Sequence, residues 1–157
     1  MINEGIDTST TEQLQAPDYV YIDGSYHPLY VNLRESQEGE KQPPFKGMKN
    51  LFMLAAFIGF LQEKWVPLGT NRRNIFARTV FKQDDLVLLR TLALAKTENP
   101  EVLLNEKEIQ SIAEGYANGG ITVIKELVED APGSRIENLV NLLLNWEPYS
   151  DIIPSVQ

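Results

Sequence analysis

The stretch that decides the fold is Leu51-Phe52-Met53-Leu54-Ala55-Ala56-Phe57-Ile58-Gly59-Phe60-Leu61, eleven residues without a charge. Spanning a bilayer takes about 20 apolar residues, so the run predicts a buried core helix. In the helix expected from Lys46 to Lys64, Leu51, Leu54, Ala55, Ile58 and Leu61 share one face. Phe52, Phe57 and Phe60 widen that face almost all the way round, the pattern of a helix surrounded by others, and Gly59 lets another helix approach closely. Trp65-Val66-Pro67-Leu68-Gly69 ends it, since Pro67 disfavours helix at Val66.

Downstream, residues 70–81 read two ways. Ile75, Ala77, Thr79 and Phe81 alternate with Phe76, Arg78 and Val80, as in a short strand, and a helical turn capped by Thr70 is the alternative. A helix follows from about Gln83 to Lys96, with Asp84 and Asp85 at its positive end and Leu86, Leu89, Leu92 and Ala93 as its stripe. Asn99-Pro100 is a helix-start signal. Asn105 with Glu108 resembles a capping arrangement for a helix running to Asn118. Gly119-Gly120 then reads as a break, with Gly119 suited to the left-handed conformation after a helix. Ile121 to Glu129 reads as a further amphipathic helix, ended by Pro132-Gly133. Ser134-Arg135-Ile136-Glu137 forms a capping box for a last helix to Trp146, with Ile136, Leu139, Val140, Leu143 and Trp146 inward.

Upstream, Asp23-Gly24 lies between Tyr19-Val20-Tyr21-Ile22 and Ser25-Tyr26-His27-Pro28-Leu29-Tyr30-Val31. An Asp-Gly pair between β-formers predicts a hairpin, whose second arm Pro28 restricts to a sheet edge. Asn32 to Pro44 is charged and ends in two prolines, a linker pattern. The expected organisation is a flexible acidic tail over 1–17, a β-hairpin and linker over 18–44, a helical domain over 45–147 and an irregular tail over 148–157. The fold class is mainly α: a compact helical domain of about five helices with an N-terminal β-hairpin appendage.

The chain's 157 residues suit one domain, which at that size buries about two-thirds of its unfolded surface. Without cysteine, disulfides, thiolate metal sites and cysteine nucleophiles are excluded. One histidine, His27, excludes multi-histidine metal centres. The polar, acidic start from Met1 to Pro17 has no apolar core for a signal peptide, so a cytoplasmic protein without membrane attachment is expected.

The net charge of −8 is unevenly spread. Residues 1–40 hold eight acids and one base, giving −7; residues 41–82 hold eight bases and one acid, giving +7. Residues 83–97 are neutral, 98–130 carry −6 and 131–157 carry −2. The +7 stretch predicts a surface for phosphate or an acidic partner, carried by Lys64, Arg72, Arg73, Arg78 and Lys82. Internal neutralisation by the acids between Glu98 and Asp130 is the competing reading. Tyr19, Tyr21, Tyr26 and Tyr30 crowd twelve residues. They would either anchor a partner or pack across the hairpin and onto the helical body.

Catalysis finds little support. Asp84 and Asp85 are adjacent and so point about 100° apart on a helix, which the helix dipole explains without chemistry. No serine sits in a nucleophile elbow, and Gly119-Gly120 lacks the spacing of a dinucleotide loop. Glu106, Glu108 and Glu114 lack the Glu-x-x-His pairs of a di-iron bundle. No catalytic residue, metal or cofactor is expected.

Four segments carry a family resemblance: Phe52 to Phe60, Val66-Pro67-Leu68, Ile75 to Phe81, and Glu114-Gly115-Tyr116-Ala117-Asn118-Gly119-Gly120-Ile121. Together they resemble the DNA phosphorothioation-associated protein 4 family, whose members are encoded with Dnd systems. Those systems replace a non-bridging phosphate oxygen of DNA by sulfur and support restriction of unmodified phage DNA. The likeness covers about residues 45–130, and its most specific part is Tyr116 to Gly120. Gly115 departs from it, standing where an acidic or larger residue is expected. The resemblance implies a non-enzymatic accessory protein of an antiviral, restriction-modification type system. Such a protein would act by binding a protein partner, DNA, or both, and an oligomer is compatible with that role. A ribbon-helix-helix-like DNA-binding regulator, with the strand near Ile75 to Phe81 paired across a dimer, is one alternative. An acidic interaction module working through the tyrosine-rich hairpin is the other.

Overall fold

The structure, a computed structural model, describes residues 15–145. At its centre lies the apolar helix, here α2 (Met48–Leu61), in which Leu51, Phe52, Met53, Ala55, Ala56, Ile58 and Gly59 are buried. It packs along its length against α4 (Glu106–Ile124), the other buried helix. Gly59 does permit a close helix approach, and so do the glycines expected to break the chain. A methyl group on Gly59 would run into the carbonyl oxygen of Tyr116, and one on Gly120 into that of Ala55. One on Gly119 would run into the carbonyl of Lys64. Gly119-Gly120 therefore lies inside α4, and Gly119 is helical rather than left-handed. Glycine sacrifices about 1 kcal/mol of helix propensity, and backbone-to-backbone packing offsets it. Ile121 to Ile124 continue α4, and a single wide turn, Lys125–Glu129, closes it through Asp130 N–H to the Lys125 carbonyl at 2.8 Å.

The same packing explains Gly115. The indole of Trp65 occupies the space a side chain there would need, and its Nε1 donates to the Ile112 carbonyl at 3.1 Å. Val66 N–H donates to the Gly115 carbonyl at 3.0 Å, and Asn118 Nδ2 to the Val66 carbonyl at 3.1 Å. Tyr116 to Gly120, the most specific part of the resemblance, is thus a bed for α2 and the chain leaving it. Lys96 covers the other side of Trp65, 4.4 Å from the ring centroid.

Five α-helices and a two-stranded antiparallel sheet make the fold mainly α, as expected. The second strand, however, is not the one read beside Asp23-Gly24. β1 (Tyr19–Asp23) pairs with β2 (Arg72–Ala77), and Ser25 to Val31 do not form a strand. Asp23 instead caps a tight turn, Gly24–Tyr26, accepting from the amide of Ser25 at 2.9 Å and its hydroxyl at 2.6 Å. Pro28 then opens α1 (His27–Arg34), where a missing N–H costs nothing. Leu29, Tyr30 and Leu33 face inward from α1, and Val20 and Ile22 from β1, all joining the one core around α2. Both elements are therefore integral to the domain.

The ambiguous residues 70–81 resolve as β2 followed by a tight turn, Arg78–Val80. Phe76 and Phe81 meet edge to face at 5.3 Å, and Phe76 meets Phe52 at 5.8 Å, which anchors the strand's end on α2. α3 (Gln83–Thr97) buries Leu89, Leu92 and Ala93 as expected. Asn99 starts a short tight helix, Pro100–Leu104, and Asn105 caps α4 by accepting from Glu108 N–H at 3.0 Å.

α5 (Arg135–Leu144) begins at the expected Ser134 cap but is rotated from the expected face. Arg135 and Leu142 are buried, whereas Val140 and Leu143 are 46% and 53% exposed. The cause is Arg135. Its Nε and Nη2 reach both oxygens of Glu40 at 2.9 and 2.7 Å. Its remaining donors take the carbonyls of Asn32 and Glu35 at 2.9 and 2.8 Å, the last turn of α1 and its cap. The charged segment read as a linker is pinned by this staple. Trp146, residues 1–14 of the acidic tail and the C-terminal tail lie outside the described residues.

Candidate partner-binding interface

The five basic residues singled out by charge do not form one patch. Arg78 is spent inside the protein: its Nη2 meets Glu106 Oε2 at 2.6 Å, and Arg90 takes the other oxygen at 2.7 Å. Lys49, from the same stretch, is paired with Asp85 at 2.7 Å. Lys64 Nζ donates to the Thr122 hydroxyl of α4 at 2.5 Å. Lys82 is exposed at the start of α3, next to Asp84 and Asp85. Internal neutralisation thus accounts for part of the +7 stretch.

Arg72 and Arg73 are different. Both are exposed on β2, and neither forms an ion pair among the described residues. Arg72 donates to two backbone carbonyls, from Nε to Gly69 at 2.9 Å and from Nη2 to Leu68 at 3.5 Å. Asp23 stands opposite Arg72 in the sheet register, but its carboxylate is occupied by Ser25. Arg73 stands opposite Ile22, and successive strand residues leave opposite faces. The two guanidinium groups therefore flank the strand from both sides. Burial, and then the positive fields of Arg73 and Arg34, push the His27 imidazole of α1 below its ordinary range.

The two edges of this sheet differ. In an antiparallel pair, residues at non-hydrogen-bonded positions turn their backbone groups away from the partner strand. On β1 those groups are met by α4. Tyr21 N–H donates to Glu114 Oε1 at 3.0 Å, and the Tyr19 carbonyl accepts from Gln110 Nε2 at 2.9 Å. Gln110 also donates to Glu114 at 2.9 Å, so an i, i+4 pair of side chains stands in for a third strand. Burial raises the Glu114 carboxyl above its ordinary range, against those hydrogen bonds and the field of Arg72. Nothing in the sequence spacing marks this clamp except that Gln110 and Glu114 fall on α4's buried face.

β2 has less cover: the outward N–H of Arg72 turns back to the Thr70 carbonyl at 3.0 Å, which leaves Asn74 as the open position. Asn74 stands opposite Tyr21 and so turns its N–H and C=O outward, and Arg72 to Asn74 are exposed. A bulge at Ile75, the residue passed over between the Val20–Phe76 and Tyr21–Asn74 pairs, bends the strand there. No third strand pairs with this edge among the described residues.

The tyrosines separate as well. Tyr30 is a core residue, and Tyr26 packs against the core. Tyr21 is half-buried, which leaves Tyr19 at 45% exposure as the one open ring of the four. Tyr19 borders an open groove of about 830 Å³ whose wall includes Phe81, Leu86, Leu104 and the Arg78–Glu106 pair. Those charges cancel, so the groove carries no net attraction for an anion. Asp85 accepts from Lys82 N–H at 2.8 Å as well as from Lys49, which makes it a structural carboxylate. Among the described residues no group of three or more acidic or histidine side chains is placed to hold a metal, and no helix is long and apolar enough to cross a membrane.

The family model described as DNA sulphur modification system-associated protein 4 matches residues 25–151. The match extends past the four segments of the resemblance to α1 and α5. No curated protein and no solved structure matches the chain.

Proposed function

Because the chain belongs to the family of DNA sulphur modification system-associated protein 4, we propose that it is a non-enzymatic accessory component of such a system, working in the cytoplasm by holding a protein partner. The contact surface is the basic strand β2, with Arg72 and Arg73 as its charged anchors. Lys64 and Lys82 lie outside this surface, and Arg78 supports it from within the fold. The observation that carries the reading is the pair of exposed guanidinium groups at Arg72 and Arg73, held on a strand and engaged in no ion pair among the described residues. Unpaired charge of this kind is what steers association and selects a partner of opposite sign.

A protein partner is favoured over DNA by the rest of the charge distribution. DNA binding of useful strength neutralises several phosphates. Here Arg78 and Lys49 are already paired, and the chain as a whole carries −8. The tyrosine-based module loses three of its four rings to the body of the fold.

The test is capture from cells encoding the complete modification system, with and without nuclease, using the wild-type chain and an Arg72→Glu/Arg73→Glu variant. The expected result is a protein component of the system retained after nuclease and lost with the variant. Recovery that depends on intact DNA, or is unchanged by the double charge reversal, overturns this reading.

A further inference from the structure

The uncovered side of β2 has a consequence beyond charge. A strand edge with outward N–H and C=O groups is a template for one more strand. Proteins usually cover or blunt such edges, and here the opposite edge of the same sheet is covered, by Glu114 and Gln110. The two edges are treated differently within one sheet of two strands. From the open backbone at Asn74 and the flanking Arg72 and Arg73, we propose that β2 accepts an acidic, extended segment of the partner protein as a third strand of the sheet.

Charge decides between occupants. A second copy of β2 would bring two more arginines against Arg72 and Arg73, and like charges across a strand pair are destabilising. A segment with carboxylates at one end satisfies both guanidinium groups, since they leave opposite faces of β2 and a strand presents alternate side chains to both faces. The bulge at Ile75 limits the straight part of the edge to Arg72–Asn74, so the added pairing is short and the arginines set its position. DNA has no backbone amides to meet the Asn74 carbonyl. This proposal rests on the partner-binding reading above and adds the mode of binding.

The experiment is an NMR titration of the isotopically labelled chain with three probes. The first is a nine-residue peptide that begins with three consecutive Glu, which present carboxylates to both faces, and continues with alternating Thr and Val. The second is the same peptide with alternate backbone amides methylated, and the third has Lys in place of each Glu. The acidic peptide is expected to shift the amides of Arg72–Ala77 and to slow exchange of the Asn74 amide. Methylation is expected to weaken binding at least tenfold, and the Lys peptide not to bind. Equal binding of the methylated peptide, with only arginine side chains perturbed, would overturn strand addition while leaving the basic-surface reading intact. A concentration-dependent dimer through β2, or duplex DNA perturbing β2 where the acidic peptide does not, overturns the choice of occupant. An Asn74→Pro variant removes the outward N–H without touching the ladder to β1. If it folds, it is expected to lose the peptide as methylation does, and retained binding counts against the proposal.

Discussion

Glu114 shows how one side chain serves the fold in a place where a carboxylate invites a catalytic reading. It is buried, its carboxyl is raised above the ordinary range by desolvation, and its oxygen ends the hydrogen-bonding of β1. Glu114→Gln keeps an acceptor for Tyr21 N–H and removes a buried charge, so thermal stability at neutral pH is expected to hold or rise. Glu114→Ala leaves that N–H orphaned and should cost about 1–3 kcal/mol in denaturant unfolding. Gly120 makes the complementary case. Gly120→Ala gains helix propensity but drives a methyl into the Ala55 carbonyl, and a net loss of about 1–3 kcal/mol is expected from overpacking. Gly69→Ala, where nothing lies near the added carbon, should change little. Gly59 was readable in advance as a close-approach residue. Gly119 and Gly120 were not, because a glycine pair in sequence signals either a helix end or a tight helix crossing, and only the partner decides which.

At the scale of elements, whatever depended on local pattern was legible. α2, α3 and the caps at Asn99, Asn105 and Ser134 all follow from spacing and cap chemistry, whereas residues 70–81 left strand and helical turn both open and contain a strand only over Arg72–Ala77. What was not legible depended on distant partners. Asp23-Gly24 carries a hairpin signal, but β1 finds β2 some fifty residues away because Phe76 is fixed on Phe52 and Phe81. The inward face of α5 was misread in part: Leu139 packs against the core as expected, but Arg135 and Leu142 are the buried residues and Val140 and Leu143 are exposed. Arg135 joins α5 to the end of α1 and holds the Glu40 carboxyl down to about 2, chiefly through its own hydrogen bonds. Arg135→Ala leaves Glu40 and two carbonyls without their donor. It should cost about 3–5 kcal/mol, the range for breaking a buried pair, measured by chemical denaturation.

Across the whole molecule, the acidic total concealed a division of labour. Sequence blocks located the positive charge, yet the fold decides which members are available. Arg78 and Lys49 close ion pairs, Lys64 bonds a threonine, and Arg72 and Arg73 remain on an exposed strand. That positive end has a pH signature. Burial first, then Arg73 and Arg34, lowers the His27 pKa from 6.5, so the unfolded chain binds the proton more readily than the folded one. Stability should therefore rise with pH through the window just below 6.5. His27→Gln should flatten that slope in a series of thermal melts.

The central claim is that β2 is the surface at which the partner is held, and hydrogen exchange followed by mass spectrometry tests it most directly. The comparison is between the chain alone and the chain in the nuclease-treated complex captured from its modification system. Slowed exchange across Arg72–Ala77, with α3 and α5 unchanged, is the predicted result. Protection on the exposed side of α5 around Val140 and Leu143, with β2 exchanging as it does in the free chain, would contradict it.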